Sequence, residues 1–136
     1  MLGDFGIAKV LDSTQDLAKT CIGTPYYMSP ELFKYEPYDF KSDIWSLGCC
    51  LYEICTFKHA FDAKSFQALA VKILKGNYNK ISGRYSKELK KLIYSLMKVE
   101  PENRPSMIQI FKIPKVQIET IKYVNKIIAS KSKDVS

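Results

Sequence analysis

The sequence has little that could hold a metal ion or a framework of disulfides. Four cysteines and a single histidine occur among its 136 residues. Cys21, Cys49, Cys50 and Cys55 show no C-x-x-C spacing, and His59 has no second histidine with which to complete a zinc site. The cysteine usage therefore predicts a reducing, intracellular compartment.

Long apolar runs are also missing. No stretch approaches the ~20 apolar residues that a membrane-spanning helix requires, and the N-terminus lacks the basic start, apolar stretch and small-residue cleavage site of a secretory signal. We therefore expect no membrane partner and a cytoplasmic location.

Arginine is scarce in a chain that is otherwise basic. The formal net charge is +7, from 21 Lys and Arg against 14 Asp and Glu, yet Arg84 and Arg104 are the only arginines. The lysines are spread widely along the sequence, and no basic stripe alternates with aromatic residues as base recognition requires. We therefore expect no nucleic-acid partner. Hydrophobic residues make up 46% of the chain, which is enough for a packed core.

Hydrophobic spacing predicts a mainly α-helical chain. Residues 1–40 are rich in turn formers, which predicts a short strand and then a long irregular segment. An almost wholly apolar helix is predicted from Phe40 to Cys55, capped by Ser42 or Asp43 and buried on nearly all sides.

Three amphipathic helices are predicted next, from apolar residues at helical spacing. The first closes at Gly76, and the second opens at Ser86. The third follows Arg104, with Pro105 in its first turn, and ends at Pro114. The lysine-rich tail, residues 115–136, is predicted to be partly helical and then disordered from residue 130 onward.

Four short blocks stand in a specific order along the chain. They are Asp4-Phe5-Gly6, GTPYYMSPE at 23–31, KSDIWSLGC at 41–49 and PENRP at 101–105. Together they resemble the activation segment, central helix and closing arginine of a eukaryotic protein kinase C-lobe. The segments TCIGTPYYMSPE and YEICTFKHAF are similar to those of the NIMA-related (NEK) serine/threonine kinases. The resemblance implies a mainly α, protein-kinase-like C-lobe over residues 1–114, lacking the N-lobe and the catalytic loop.

The resemblance also implies roles for residues near the N-terminus. Asp4 would bind the Mg²⁺ that neutralises the phosphates of ATP, because Mg²⁺ prefers carboxylate oxygen. Phe5 would pack under the helix that carries the glutamate partner of the ATP-binding lysine, and Gly6 would let the segment swing. Thr20 would be the activating phosphosite, modified by an upstream kinase or by autophosphorylation. The alternatives are a solvated turn Asp4 and an unmodified Thr20.

Further positions are implied to face the substrate or to hold the lobe together. Thr24, Pro25 and Tyr26 would line the loop around the phosphorylated serine or threonine, unless Thr24 and Pro25 form a simple turn. Asp43 would hold the catalytic loop, cap its own helix, or do both. We expect Glu31 and Arg104 to meet as a buried ion pair, the alternative being a solvent-exposed Arg104. His59 has no catalytic context and is predicted to be a surface or interface residue.

Several parts of a complete kinase do not occur in these 136 residues. A glycine-rich loop, a lysine on strand β3 and an H-R-D-x-x-x-x-N catalytic loop are all missing, and we therefore expect the isolated chain to be inactive. The favoured function is the C-terminal part of a kinase that transfers the γ-phosphate of ATP to protein serine or threonine. A non-catalytic C-lobe that acts as a binding or decoy module is the alternative. By resemblance, the location extends to the centrosome or the cilium.

Overall fold

The computed structural model describes residues 25–133. The predicted short strand and most of the predicted irregular segment lie outside this range. The chain divides into two compact units, Met1–Arg104 and Pro105–Ser136, which are described separately.

The first unit is helical throughout its described part, with no strand among residues 25–104, as the mainly α prediction requires. Its elements in order are a 3₁₀ turn at Pro25–Tyr27, α1 at Pro30–Phe33, α2 at Phe40–Thr56, α3 at Phe66–Lys75, α4 at Lys87–Leu96 and a second 3₁₀ turn at Pro101–Asn103. Helix α2 is the centre of the unit, because it contacts α4 and both 3₁₀ turns, while α1 packs on α3.

The cap of α2 differs from the prediction. Asp39 is the N-cap, and its carboxylate accepts a hydrogen bond from the Lys41 N–H at 2.7 Å. Ser42 and Asp43 instead lie inside the first turn, so the proposed cap at these two positions is wrong. The helix ends at Phe57, which adopts the left-handed conformation with φ 57°.

Close packing of α2 against the region of α4 depends on a glycine. A Cβ atom at Gly48 would lie 2.7 Å from Met97 Cγ and 2.9 Å from Leu96 Cβ, which is closer than side-chain carbons approach. Further along the helix, the Trp45 ring stacks on Phe61 with centroids 5.4 Å apart. These contacts build the core from residues far apart in sequence.

Burial of α2 is one-sided, contrary to the expectation of burial on nearly all sides. Trp45 and Cys49 are buried, whereas Phe40 and Ile54 are 60% and 67% exposed. The neighbouring elements cover only part of the helix circumference, and Cys50 also faces outward. An apolar sequence therefore overstates burial when the covering elements are few.

The ends of α3 and α4 confirm the two sequence signals. Gly76 ends α3 in the left-handed conformation at φ 61°, which glycine adopts without strain. Ser86 opens α4, and its hydroxyl accepts a hydrogen bond from the Leu89 N–H at 3.2 Å.

The second unit contains α5 at Met107–Phe111 and α6 at Pro114–Lys133. Ser106 and Gln109 form a reciprocal capping box at the start of α5, so Pro105 precedes the helix rather than occupying its first turn. Pro114 begins α6 as well as following α5, since proline is well suited to a first helical turn. Helix α6 then continues to Lys133, beyond the predicted frayed end at residue 130. No helix among residues 25–133 is long and apolar enough to cross a membrane.

Candidate functional site

Two of the predicted substrate-facing residues, Pro25 and Tyr26, form the first 3₁₀ turn together with Tyr27. Their side chains are half-buried. The other N-terminal predictions, at Asp4, Phe5, Gly6, Thr20 and Thr24, lie outside the described residues and stay predictions.

The 3₁₀ turn is tied to the last part of α2 through Tyr27. The Tyr27 hydroxyl donates a hydrogen bond of 2.5 Å to Glu53 Oε2. The Ser46 hydroxyl, seven residues before Glu53 in α2, donates to the Tyr27 carbonyl oxygen at 3.1 Å. The bond to Glu53, together with burial, raises the pKa of Tyr27 to about 12, so its hydroxyl stays a donor at any physiological pH.

His59 joins the same cluster from the loop after α2. Its ring stacks on Tyr26 with centroids 4.0 Å apart and planes 8° from parallel, and it meets the edge of Tyr27. His59 Nδ1 lies 3.2 Å from Glu53 Oε2. We call Tyr26, Tyr27, Glu53 and His59 the turn cluster. The sequence predicted only a surface or interface residue at His59, and the signal for its place in this cluster was no more than a lone histidine within YEICTFKHAF.

Four residues after Tyr27, the activation-segment glutamate, Glu31, meets its predicted partner. Arg104 Nη1 donates to Glu31 Oε1 at 2.7 Å, and Nη2 donates to Glu31 Oε2 at 2.8 Å. Both side chains are almost completely buried, at 0% and 3% exposure. The prediction of a buried, bidentate ion pair is confirmed, and the exposed-arginine alternative is wrong.

Every remaining N–H group of the Arg104 guanidinium also has an acceptor. Nε donates to the Lys98 carbonyl at 2.7 Å, Nη1 to the Lys41 carbonyl at 2.7 Å and Nη2 to the Val99 carbonyl at 2.9 Å. The guanidinium also lies over the Trp45 ring, 5.0 Å from its centroid. Arg104 therefore joins the start of α2, the segment after α4 and the activation segment at one point.

Glu31 is held in its charged form. Burial alone would raise the pKa of its carboxyl group, but hydrogen bonds from Arg104, the backbone and Ser42 lower it to about 2. The Ser42 hydroxyl donates to Glu31 Oε1 at 2.8 Å. This contact explains why Ser42 is buried inside α2 rather than acting as a cap.

Asp43 lies on the exposed side of the first turn of α2, where its carboxylate accepts a hydrogen bond from the Tyr38 hydroxyl. Its predicted contact with a catalytic loop stays a prediction. Among residues 25–133, no three His, Cys, Asp or Glu side chains lie together as a metal site would require. Asp4, the predicted Mg²⁺ ligand, is outside that range.

Comparison with known proteins adds the family. Residues 1–115 match the family described as protein kinase domain. The chain is 57% identical over 114 residues to a probable serine/threonine-protein kinase nek3 of Dictyostelium discoideum, covering 83% of this chain and 10% of that protein. It is 54% identical over 111 residues to mouse serine/threonine-protein kinase Nek1, covering 82% of this chain and 9% of that protein. It is 50% identical over 123 residues to human serine/threonine-protein kinase Nek5, covering 90% of this chain and 17% of that protein.

The chain thus spans less than a fifth of the length of these relatives. The four sequence blocks, the helical lobe and the Glu31–Arg104 pair all agree with the family match. The chain belongs to the protein kinase family, as a NIMA-related (Nek) member.

Proposed function

We propose that the protein containing this chain transfers the γ-phosphate of ATP to serine or threonine residues of protein substrates. In this proposal, residues 1–114 supply the activation segment and the substrate platform of the kinase domain, and residues 115–136 form a basic tail. The observation that carries the proposal is the double anchoring of residues 25–31. One end is hydrogen-bonded to α2 through Tyr27, and the other is ion-paired to Arg104.

Phosphoryl transfer depends mainly on positioning and on neutralisation of charge, because the protein does little covalent chemistry itself. A segment anchored at both ends holds Pro25 and Tyr26 in one place against α2. The backbone of this turn then presents a fixed surface beside which a substrate hydroxyl can be aligned. Thr24, which directly precedes the turn, is the proposed contact to that hydroxyl.

The remaining proposed roles follow from the family. Asp4 binds Mg²⁺, with Phe5 and Gly6 controlling the placement of that segment, and ATP is the phosphate donor. Thr20 is the regulatory phosphosite, used by an upstream kinase or by autophosphorylation. Asp43 holds the catalytic loop. The proposed location is the cytoplasm, extending to the centrosome or cilium.

The direct test uses the full-length protein with radiolabelled ATP, Mg²⁺ and casein. Wild type is expected to phosphorylate serine or threonine, and Asp4→Asn is expected to abolish transfer because the amide is a weaker Mg²⁺ ligand. No transfer by the wild type would refute the proposal and favour a binding module. Undiminished transfer by Asp4→Asn would refute the role of Asp4 alone.

A second measurement tests the platform itself. Tyr27→Phe removes the hydrogen bond to Glu53 and nothing else, at a cost of about 1 kcal/mol in positioning, or about fivefold in kcat/KM for a peptide substrate. Tyr123→Phe, at an exposed tyrosine on α6, is the matched control and should leave kcat/KM unchanged. Equal kcat/KM for wild type and Tyr27→Phe would show that the Tyr27 anchor does not position substrate.

A further inference from the structure

The basic residues are gathered in one part of the first unit, which corrects the expectation of a widely spread charge. Residues 72–98 contain eight basic residues and one acidic residue, whereas residues 25–71 contain four basic and six acidic residues. The excess positive charge of this unit therefore lies in α3, α4 and the loop between them. The preceding part, which includes the turn cluster, has an excess of negative charge.

Six lysines of this region share an accessible surface that we call the basic face. They are Lys75, Lys80, Lys87, Lys90, Lys91 and Lys98. All are exposed except Lys90, which is half-buried. None of them forms an ion pair with a carboxylate of the described residues.

Three other lysines of the described residues, in contrast, have internal partners. Lys41 donates to the Arg104 carbonyl, Lys72 donates to the Asp62 carbonyl at 2.5 Å, and Lys34 lies 3.9 Å from a Glu100 carboxylate oxygen. The lysines of the basic face have no such partner in the described part of the chain. Their charges repel one another, so a ligand with several negative charges gains from all of them at once.

The basic face also contains apolar surface between its lysines. Two adjoining shallow cavities, of about 370 and 460 Å³, share Tyr94 and Lys98 as a common wall. Tyr78 and Met97 line the first cavity. The Tyr94 ring is fixed in place, because its hydroxyl accepts a hydrogen bond from the Ile81 N–H at 2.8 Å and its ring packs on Tyr78.

The unpaired lysines and the apolar cavities favour an acidic peptide over a nucleic acid or a lipid surface. Lysine ammonium groups are point charges without the planar fork that reads bases and phosphates bidentately, and the region holds a single arginine, Arg84. No large hydrophobic side chain is exposed between residues 58 and 106, so nothing would insert into a lipid surface. An extended acidic peptide with one bulky apolar residue fits both the positive charge and the shallow cavities.

We propose that the basic face is a docking surface for an acidic peptide segment of a partner protein. An apolar side chain of the peptide sits against the half-buried rings of Tyr78 and Tyr94, and flanking aspartates or glutamates pair with the surrounding lysines. The lysine side chains of this surface lie outside the turn cluster and the Glu31–Arg104 pair, and only the backbone carbonyl of Lys98 accepts a hydrogen bond from Arg104. The proposal goes beyond the kinase function and does not depend on it.

The test measures fluorescence anisotropy of a labelled peptide, Glu-Glu-Asp-Phe-Glu-Glu-Asp, with the full-length protein at 150 mM salt. Lys80, Lys87 and Lys91 are changed together to glutamate. Binding is expected to weaken by about tenfold or more, equivalent to about 1.4 kcal/mol. The same three positions changed to glutamine form a milder variant, expected to weaken binding about threefold, which decides the matter if the glutamate variant fails to fold.

The matched control changes Lys112, Lys126 and Lys131 to glutamate, which alters net charge equally at exposed positions of the second unit. This variant should bind the peptide within about twofold of wild type. A peptide in which each acid is replaced by its amide should bind at least tenfold more weakly than the acidic one.

Four results would overturn the proposal: no binding by wild type, equal binding of the amide peptide, equal weakening by both triple variants, or tighter binding of a 20-nucleotide RNA or phosphatidylserine vesicles through the same lysines. Phosphorylation of an uncharged peptide substrate by the Lys80, Lys87 and Lys91 variant should match wild type. If wild type lacks kinase activity, the proposed function fails, whereas the anisotropy result still decides the docking surface.

Discussion

Replacement of Arg104 by lysine keeps a positive charge at the centre of the lobe but removes the planar guanidinium. All five N–H groups of Arg104 donate hydrogen bonds, two to Glu31 and three to backbone carbonyls. A lysine ammonium has three donors, so at least two buried acceptors lose their partner. Each such loss costs about 1–3 kcal/mol, and removing one partner of a buried pair outright costs about 3–5 kcal/mol. We therefore expect Arg104→Lys to lower the free energy of unfolding by about 2–5 kcal/mol.

The assay is urea and thermal unfolding of the full-length protein, monitored by tryptophan fluorescence because Trp45 lies under the guanidinium. A loss of about 3 kcal/mol lowers the Tm of a domain of 150–250 residues by roughly 6–12 °C. Arg84→Lys is the matched control, since Arg84 is exposed and makes no ion pair among the described residues; its effect should stay within about 0.5 kcal/mol. An Arg104→Lys protein with the melting temperature of wild type would refute the argument that the planar guanidinium is needed.

Three further predictions concern separate positions. In the full-length kinase, Thr20→Ala should lower phosphotransfer and Thr20→Glu should restore part of it, as measured by ATP incorporation; full activity of the alanine variant would count against the phosphosite. Because the pKa of Glu31 is lowered to about 2 from 4.5, its contribution to stability is present above pH 4.5 and is lost as pH falls toward 2. Wild type should therefore lose more free energy of unfolding than Glu31→Gln between these values, and parallel curves would contradict this. Gly48→Ala should cost about 1–3 kcal/mol through the clash with Met97, seen as a lower urea midpoint, and an unchanged midpoint would show that α4 shifts freely.

The ion pair could be predicted from sequence because two independent signals agreed. Glu31 closes a recognisable motif, and Arg104 is one of two arginines in a lysine-rich chain. Gly76 and Ser86 were equally reliable, since left-handed backbone and N-terminal capping depend on one residue and its immediate neighbours.

Features that depend on distant residues could not be predicted. Ser42 is chemically suited to capping, but the buried Glu31 carboxylate uses its hydroxyl, and Asp39 caps the helix instead. The stacking of His59 on Tyr26 joins positions whose proximity no local pattern reveals. Pro114 was expected to end a helix, yet it also begins α6, because proline can follow one helix and start the next.

The Glu31–Arg104 pair also sets an order of events during synthesis of the protein. The two residues are 73 positions apart. At about 5–20 residues per second, Arg104 is made roughly 4–15 s after Glu31. During that interval the Glu31 carboxylate stays in water, because burying it without a partner is strongly unfavourable. The Glu31 anchor therefore forms only after Arg104 has been made, and a nascent chain halted before Arg104 lacks this anchor for residues 25–31.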